Sequence, residues 1–163
     1  MKSDLNQRAL RLLARRDHSR LELRQKLLRS GPSEVVEGAL DELEKKGLLN
    51  DESFAVQRAL HCRQRRLWGN RRIAQDLKRL GIGARIIERV LQQVSNEKEE
   101  AESLQKAIHL WIEKSGTPKL VSQLKKLYDH CLRLGYAPAQ VRGELHFHFD
   151  RLDWSERDLN GPK

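Results

Sequence analysis

The sequence predicts an all-α protein, built as a tandem array of three three-helix repeats that would form an elongated, curved molecule. Apolar residues, mostly leucine, recur at spacings of three and four in stretch after stretch, which is the pattern of amphipathic helices. Capping residues and glycines separate these stretches. Hydrophobic residues make up only 38% of the chain and charged residues 34%, which favours slender helical layers that each bury one stripe.

Start and stop signals place each helix. Predicted starts carry a capping residue, a capping box or a proline at the first helical position: Ser19 with Glu22, Pro32-Ser33, Asn50 or Asp51, Asn70, Gly83, Asn96 with Glu99, Thr117-Pro118 and Pro138. Predicted ends carry glycine: Gly31, Gly47, Gly81 and Gly135. Leu5 and Ala9 belong to a further helix that precedes the first of these starts.

Similar segments recur along the chain. KLLRSG, DLKRLG and HCLRLG end at Gly31, Gly81 and Gly135, about 50 residues apart, as expected of a helical repeat. We therefore predict repeats at residues 1–48, 49–95 and 96–150. Residues 151–163 have no helical periodicity and are predicted to form a flexible tail.

Positive charge is concentrated in two stretches. The net charge is +9, with nine Lys/Arg against three acids in residues 1–30 and ten against two in residues 55–94. Residues 31–54 between them are acidic. A partner that is polyanionic, either a nucleic acid or an acidic protein surface, would suit such an arrangement.

The candidate contact residues for this partner are basic side chains on the second, fourth and fifth predicted helices: Arg20, Arg24, Arg63, Arg65, Arg66, Arg71, Arg72, Lys78 and Arg79. Five of these arginines flank the turn at Trp68-Gly69-Asn70, where they would repel one another without a counter-anion. Arg71 and Arg72 lie at a helix N-terminus, which the helix dipole disfavours for cations, so we interpret them as serving a partner. Trp68 is expected to pack between helices rather than to stack on a base.

The sequence contains no recognisable catalytic or metal-binding motif. His61-Cys62 and His130-Cys131 are adjacent pairs, but each cysteine falls on an apolar stripe and is predicted to be a buried thiol. We therefore expect a protein with no enzymatic activity, no cofactor and no metal. The charged N-terminal residues and the lack of an apolar run long enough for a membrane span favour a cytoplasmic protein.

The segments SRLELRQKLLRSG, EKKGLLNDESFA and RRLWGNRRIAQDLKRLGI resemble the RecX family of bacterial recombination regulators, over about residues 5 to 94 and more loosely beyond. This resemblance implies a three-repeat, all-α protein that binds the RecA–DNA filament and lowers its ATPase, strand-exchange and coprotease activities. It thus implies a role in homologous recombination, DNA repair and the SOS response. In the third repeat the middle helix is longer and the basic excess is gone, so this repeat is expected to contact protein.

Three functions remain open from the sequence. The first is a monomeric regulator whose partners are the RecA filament and single- or double-stranded DNA. The alternative is a stand-alone DNA-binding protein without sequence preference, because no predicted helix presents a set of base-reading residues. A small nuclease, the third, would need clustered acidic residues to hold a metal.

Overall fold

The computed structural model describes residues 2–94 and 96–160, and every regular element within them is a helix, which confirms the predicted all-α class. The helices of these residues are α1 (Lys2–Leu13), α2 (Arg20–Leu27), α3 (Ser33–Lys45), α4 (Asp51–Arg66), α5 (Asn70–Arg79), α6 (Ala84–Val94), α7 (Glu97–Ser115), α8 (Val121–Arg133), α9 (Pro138–His148) and α10 (Glu156–Asn160).

The chain is divided into two compact units. The first unit combines the chain up to Ala59 with Asp76–Leu91, and the second combines Leu60–Gln75 with the chain from Gln92 onward. The division falls inside α4, α5 and α6, so it differs from the predicted repeat boundaries. Those boundaries, and the elongated, curved shape, stay predictions.

In the first unit, α1, α2 and α3 bury one apolar stripe each against a common core. Leu23, Leu27, Leu40 and Ala9 are fully buried there. The predicted capping box is present, since Ser19 Oγ accepts the backbone N–H of Glu22 at 3.2 Å and the Glu22 carboxylate accepts that of Ser19. The Ser19 hydroxyl also donates to the carbonyl of Leu80 at 2.7 Å, which joins the start of α2 to the end of α5.

Two other predicted helix starts can be compared with the structure directly. Asn50, not Asp51, caps α4, because its side chain accepts the N–H groups of both Glu52 and Ser53 at 3.0 Å. The Asp51 carboxylate is occupied elsewhere, by the backbone N–H of Arg20. The helix predicted to start at residues 117–118 begins later, at α8.

In the second unit, α7, α8 and α9 enclose the core. Leu104, Leu124, Leu127 and Leu145 are fully buried. Tyr136 lies among them; its hydroxyl donates to the carbonyl of Leu67 at 2.9 Å and contacts Ser103 Oγ at 2.9 Å. The first of these bonds attaches the segment that follows α4 to the core of the second unit.

Within the predicted tail, residues 151–160 contain α10 and two buried side chains, and residues 161–163 lie outside the described residues. Trp154 and Leu159 are buried, and the Trp154 ring stacks on His146 with centroids 3.8 Å apart. Lys125 on α8 also donates to the carbonyl of Leu159 at 2.5 Å. Each of these two apolar side chains packs into the core by itself, so the segment is held although its sequence shows no helical periodicity.

Candidate nucleic-acid interface

The arginine-rich turn of the second unit follows the end of α4. Leu67 adopts a positive φ of 52° there, which is costly for a residue with a branched side chain. Its carbonyl is held by Tyr136, and the backbone N–H of Trp68 reaches back to Cys62 O at 3.2 Å. The chain therefore reverses direction at a defined point, and α5 begins close to where α4 ends.

Arg63 is buried, and its side chain binds the backbone of this turn. It is 6% exposed, donates to the carbonyl of Trp68 at 2.9 Å and also donates to the side-chain oxygen of Asn70. Glu100 on α7 lies 4.0 Å from the Arg63 guanidinium and accepts both the backbone N–H and the side-chain amide of Asn70, at 2.9 and 2.8 Å. Arg63 is thus engaged within the protein, and its burial does not support the prediction that it contacts a partner.

The same network corrects the predicted cap of α5. The Asn70 side chain bonds Arg63 and Glu100 and does not accept from its own helix. The first two N–H groups of α5 instead find acceptors outside the helix, that of Asn70 in Glu100 at 2.9 Å and that of Arg71 in the Gly135 carbonyl at 3.2 Å.

The start of α5 meets the end of α8. Gly69 N–H donates to Leu134 O at 2.7 Å, and Arg71 N–H donates to Gly135 O at 3.2 Å. The Arg72 guanidinium donates to Arg133 O at 2.9 Å. These carbonyls form the negative end of the α8 dipole, so they offset the cost of placing cations at a helix N-terminus.

That contact changes the interpretation of the two arginines at the start of α5. Arg72 is partly buried and has a structural role, whereas Arg71 is exposed and uses only its backbone here. The expectation that both serve a partner alone is therefore wrong for Arg72.

Trp68 packs as the sequence predicts. The residue is 9% exposed, and its ring lies beneath two guanidinium groups, that of Arg72 at 4.3 Å and that of Arg66 at 5.0 Å from the ring centroid. These distances are typical of cation–π contacts. The ring thus orders the arginines and is itself unavailable for stacking on a base.

We define the basic turn as Arg65, Arg66, Arg71 and Arg72. Arg65, Arg66 and Arg71 are exposed, and within residues 2–94 and 96–160 none of the four forms an ion pair with a carboxylate. A cluster of uncompensated guanidiniums can bind phosphate or carboxylate oxygens through two parallel hydrogen bonds each.

The predicted residues on α2 are compensated by acids. Arg20 donates to Glu44 at 2.7 Å, to Asp41 at 2.7 Å and to Glu37 at 2.8 Å, and Arg24 also donates to Glu37. Hydrogen bonds from Arg24 and then Arg20 hold the pKa of the Glu37 carboxyl below its usual range. Arg20 and Arg24 are therefore compensated by the acidic face of α3, which does not support them as contacts for a polyanionic partner.

Lys78 and Arg79 belong to the first unit and are exposed. Arg79 donates to Asp76 at 2.8 Å, and Arg58 donates to the other carboxylate oxygen at 2.8 Å. Burial alone would raise the pKa of Asp76, but the hydrogen bonds from these two arginines lower it. Lys78 keeps an exposed charge, while that of Arg79 is partly offset.

Sequence reasoning missed two lysines. Lys106 and Lys114 on α7 are exposed and flank Leu110 at spacings of four, so they share one face of the helix. They line clefts that also include Arg65 and Arg66, respectively. An exposed leucine midway between two lysines, outside the buried stripe of its helix, was the signal in the sequence.

The described residues contain no group of three or more side chains placed to hold a metal ion. Cys62 and Cys131 are buried thiols, as predicted. Burial raises the pKa of Cys131 to about 12, so this thiol stays protonated and unreactive at neutral pH. Across residues 2–94 and 96–160, none of the helices has the length and apolar character that crossing a membrane requires.

Family models match two parts of the chain. The RecX first three-helix domain matches residues 7–43, and the RecX second three-helix domain matches residues 50–91. A regulatory protein RecX from Ectopseudomonas mendocina is 40% identical over 89 residues, 52% of this chain and 56% of that protein. One from Halorhodospira halophila is 44% identical over 85 residues, 52% of each. The matched stretch spans about half the length of these curated relatives.

Two solved structures share the fold. A crystal structure of regulatory protein RecX superposes with a TM-score of 0.76 at 23% identity, covering 86% of this chain and 70% of that one. The crystal structure of RecX from Lactobacillus salivarius gives 0.75 at 20% identity and covers 90% and 97%, respectively. The likeness therefore extends beyond the residues that the family models match.

Proposed function

The chain belongs to the RecX family, and from this premise we propose that it regulates homologous recombination and the SOS response by binding the RecA–DNA filament. Binding would inhibit the ATPase, strand-exchange and coprotease activities of the filament, and the chain itself would catalyse nothing. It would act in the cytoplasm as a monomer.

One observation carries the proposal: the basic turn gathers four guanidiniums without carboxylate partners among the described residues, and the Trp68 ring and the Arg133 carbonyl hold two of them, those of Arg66 and Arg72. Like charges kept this close cost free energy unless an anion compensates them. A filament of recombinase on DNA offers both phosphates and acidic side chains as that anion. Lys78 is a further proposed contact on the first unit, and Arg79 a weaker one.

The alternative is a DNA-binding protein that needs no recombinase. The exposed arginines favour it too, because guanidiniums bind phosphates without regard to sequence. This function predicts tight binding to bare DNA. The logarithm of the binding constant should fall linearly with the logarithm of the salt concentration. Weak binding to bare DNA together with tight binding to the filament would rule it out.

A titration of the single-stranded-DNA-dependent ATPase of RecA tests the proposed function. We expect hydrolysis to fall as the protein is added, already at substoichiometric amounts. If each lost guanidinium contact costs about 1 kcal/mol, the double variant Arg65→Gln/Arg71→Gln requires roughly tenfold or more protein for the same effect.

The matched control removes two exposed arginines elsewhere in the same unit. Arg151→Gln/Arg157→Gln lowers the net charge equally and should inhibit like the wild type. An ATPase rate that stays constant at excess wild-type protein would refute the proposed function. Equal losses in both double variants would show that net charge, not the basic turn, governs binding.

A further inference from the structure

Beside the basic turn, two clefts lie against α7 in the second unit. The larger, of about 760 Å³, is lined by Arg65, Leu67, Lys106 and Leu110 among others. The smaller, of about 410 Å³, is lined by Arg66, Leu67, Lys114 and Leu110 among others. Each cleft thus combines one arginine from the end of α4 with one lysine from α7, and both share the same two leucines.

The shared floor is apolar and open. Leu110 is 54% exposed, although Leu104 and Ile108 on the same helix are fully buried. Leu67 is half-buried, and Trp111 adds an apolar wall to the smaller cleft. Because Leu110 is largely exposed, packing in the core does not explain why an apolar residue stands at this position.

The rim is positively charged. Arg65, Arg66, Lys106 and Lys114 are all exposed. Among the described residues, Glu102 is the one carboxylate that lines the larger cleft, and none lines the smaller. An apolar floor inside a cationic rim is complementary to an amphipathic segment that presents an apolar side chain among carboxylates.

We propose that these clefts form the docking site for an acidic amphipathic segment of the partner protein. An apolar side chain of that segment lies between Leu67 and Leu110, and its carboxylates meet the arginines and lysines of the rim. This inference rests on the proposed function, because two rim arginines belong to the basic turn and the docking site continues that surface.

Other occupants fit less well. The two leucines that both clefts share are aliphatic and give a base no ring on which to stack, and the rings present line one cleft each, Trp111 the smaller and His109 the larger. A second copy of this chain carries the same net charge of +9 and would be repelled at a cationic rim. The apolar floor inside a cationic rim therefore favours an acidic protein segment.

The test uses the full-length chain and the neutral substitution Leu110→Gln, which keeps the charge of the rim. The matched control is Leu120→Gln, since Leu120 is 61% exposed in the same unit and lines neither cleft. Binding is measured in two assays: by fluorescence anisotropy of a labelled oligothymidylate, and by cosedimentation with RecA filaments. Circular dichroism checks that both variants are folded.

We expect Leu110→Gln to weaken binding to the filament in cosedimentation roughly tenfold, because one leucine contact buried in the complex is lost. Binding to the oligothymidylate should change by no more than about twofold. Leu120→Gln should change neither. The proposal is overturned, with the proposed function intact, if Leu110→Gln sediments with the filament like the wild type. Equal weakening in both assays would instead assign the clefts to nucleic acid.

Two further outcomes are decisive. Self-association of the wild type in analytical ultracentrifugation that Leu110→Gln abolishes would assign the clefts to a second copy and overturn the proposal. A wild-type chain that fails to sediment with the filament refutes the proposed function, and the docking site falls with it.

Discussion

Replacing Gly69 by alanine probes the joint that holds the basic turn. A Cβ atom at this position would lie 2.4 Å from the carbonyl oxygen of Gly135 and 2.6 Å from the backbone nitrogen of Tyr136. Both are backbone atoms, so no side-chain rotation relieves the overlap. The start of α5 and the end of α8 must move apart.

The cost follows from what that movement breaks. Separation lengthens the bonds from Gly69 N–H to Leu134 O and from Arg71 N–H to Gly135 O. Two hydrogen bonds at about 1 kcal/mol each, plus about 1–3 kcal/mol for overpacking a closed contact, give a destabilisation of roughly 3–5 kcal/mol. Arg72 also moves away from its acceptor, so the basic turn loses its arrangement.

Urea denaturation followed by circular dichroism and tryptophan fluorescence measures the stability change. Because the molecule has two units, the transition is fitted separately for each probe. The matched control is Gly143→Ala, in the same unit: Gly143 lies within α9, and a Cβ there meets nothing within 4 Å. That variant should be more stable than the wild type by about 0.5–1 kcal/mol, since alanine favours helix.

Filament inhibition provides the functional measurement. We expect Gly69→Ala to inhibit the RecA ATPase at least as poorly as the double variant of the basic turn, and Gly143→Ala to inhibit like the wild type. A Gly69→Ala protein with wild-type stability and wild-type inhibition would show that this joint does not hold the interface.

Three other changes test separate parts of the structure. Arg63→Met leaves the Trp68 carbonyl without its donor and Glu100 without its neighbouring cation, and should cost about 2–4 kcal/mol in urea denaturation, whereas Arg65→Met should cost almost nothing. Asp76→Asn should cost about 1–3 kcal/mol at neutral pH. Because the folded pKa of Asp76 is depressed, this difference should shrink as the pH falls through that value, and a pH-independent difference would refute it. Burial lowers the pKa of His18 from its ordinary 6.5, so wild-type stability should fall as the pH drops below about 6.5 toward the folded value; His18→Gln, measured by thermal melting, should remove that dependence.

The His18 prediction depends on the groups around the ring. Its Nδ1 lies 2.9 Å from the carbonyl of Arg16, and its Nε2 lies 2.7 Å from the amino group of Lys26. A neutral ring satisfies both contacts, since one nitrogen donates to the carbonyl and the other accepts from the lysine. The charges of Arg16 and Lys26 oppose protonation, while Glu22 favours it.

Local signals predicted most of the helices correctly. The capping boxes at Ser19 and Asn96 and the proline at the start of α9 are present where the sequence predicts them. These signals work because each depends on residues within one turn of the helix end. Asn70 shows the limit, since its side chain bonds Arg63 and Glu100, and Glu100 lies 30 residues away.

The amino-acid sequence by itself determined the all-α class, the family and the presence of an arginine-rich turn, because periodicity, caps and charge are properties of neighbouring residues. Only the tertiary structure decided which arginines are available to a partner. Arg20 is neutralised by carboxylates from α3, Arg63 is enclosed beside Glu100, and Arg72 is held by the end of α8. Each of these partners is distant along the chain, and a charge becomes free or compensated only when folding brings its neighbours together.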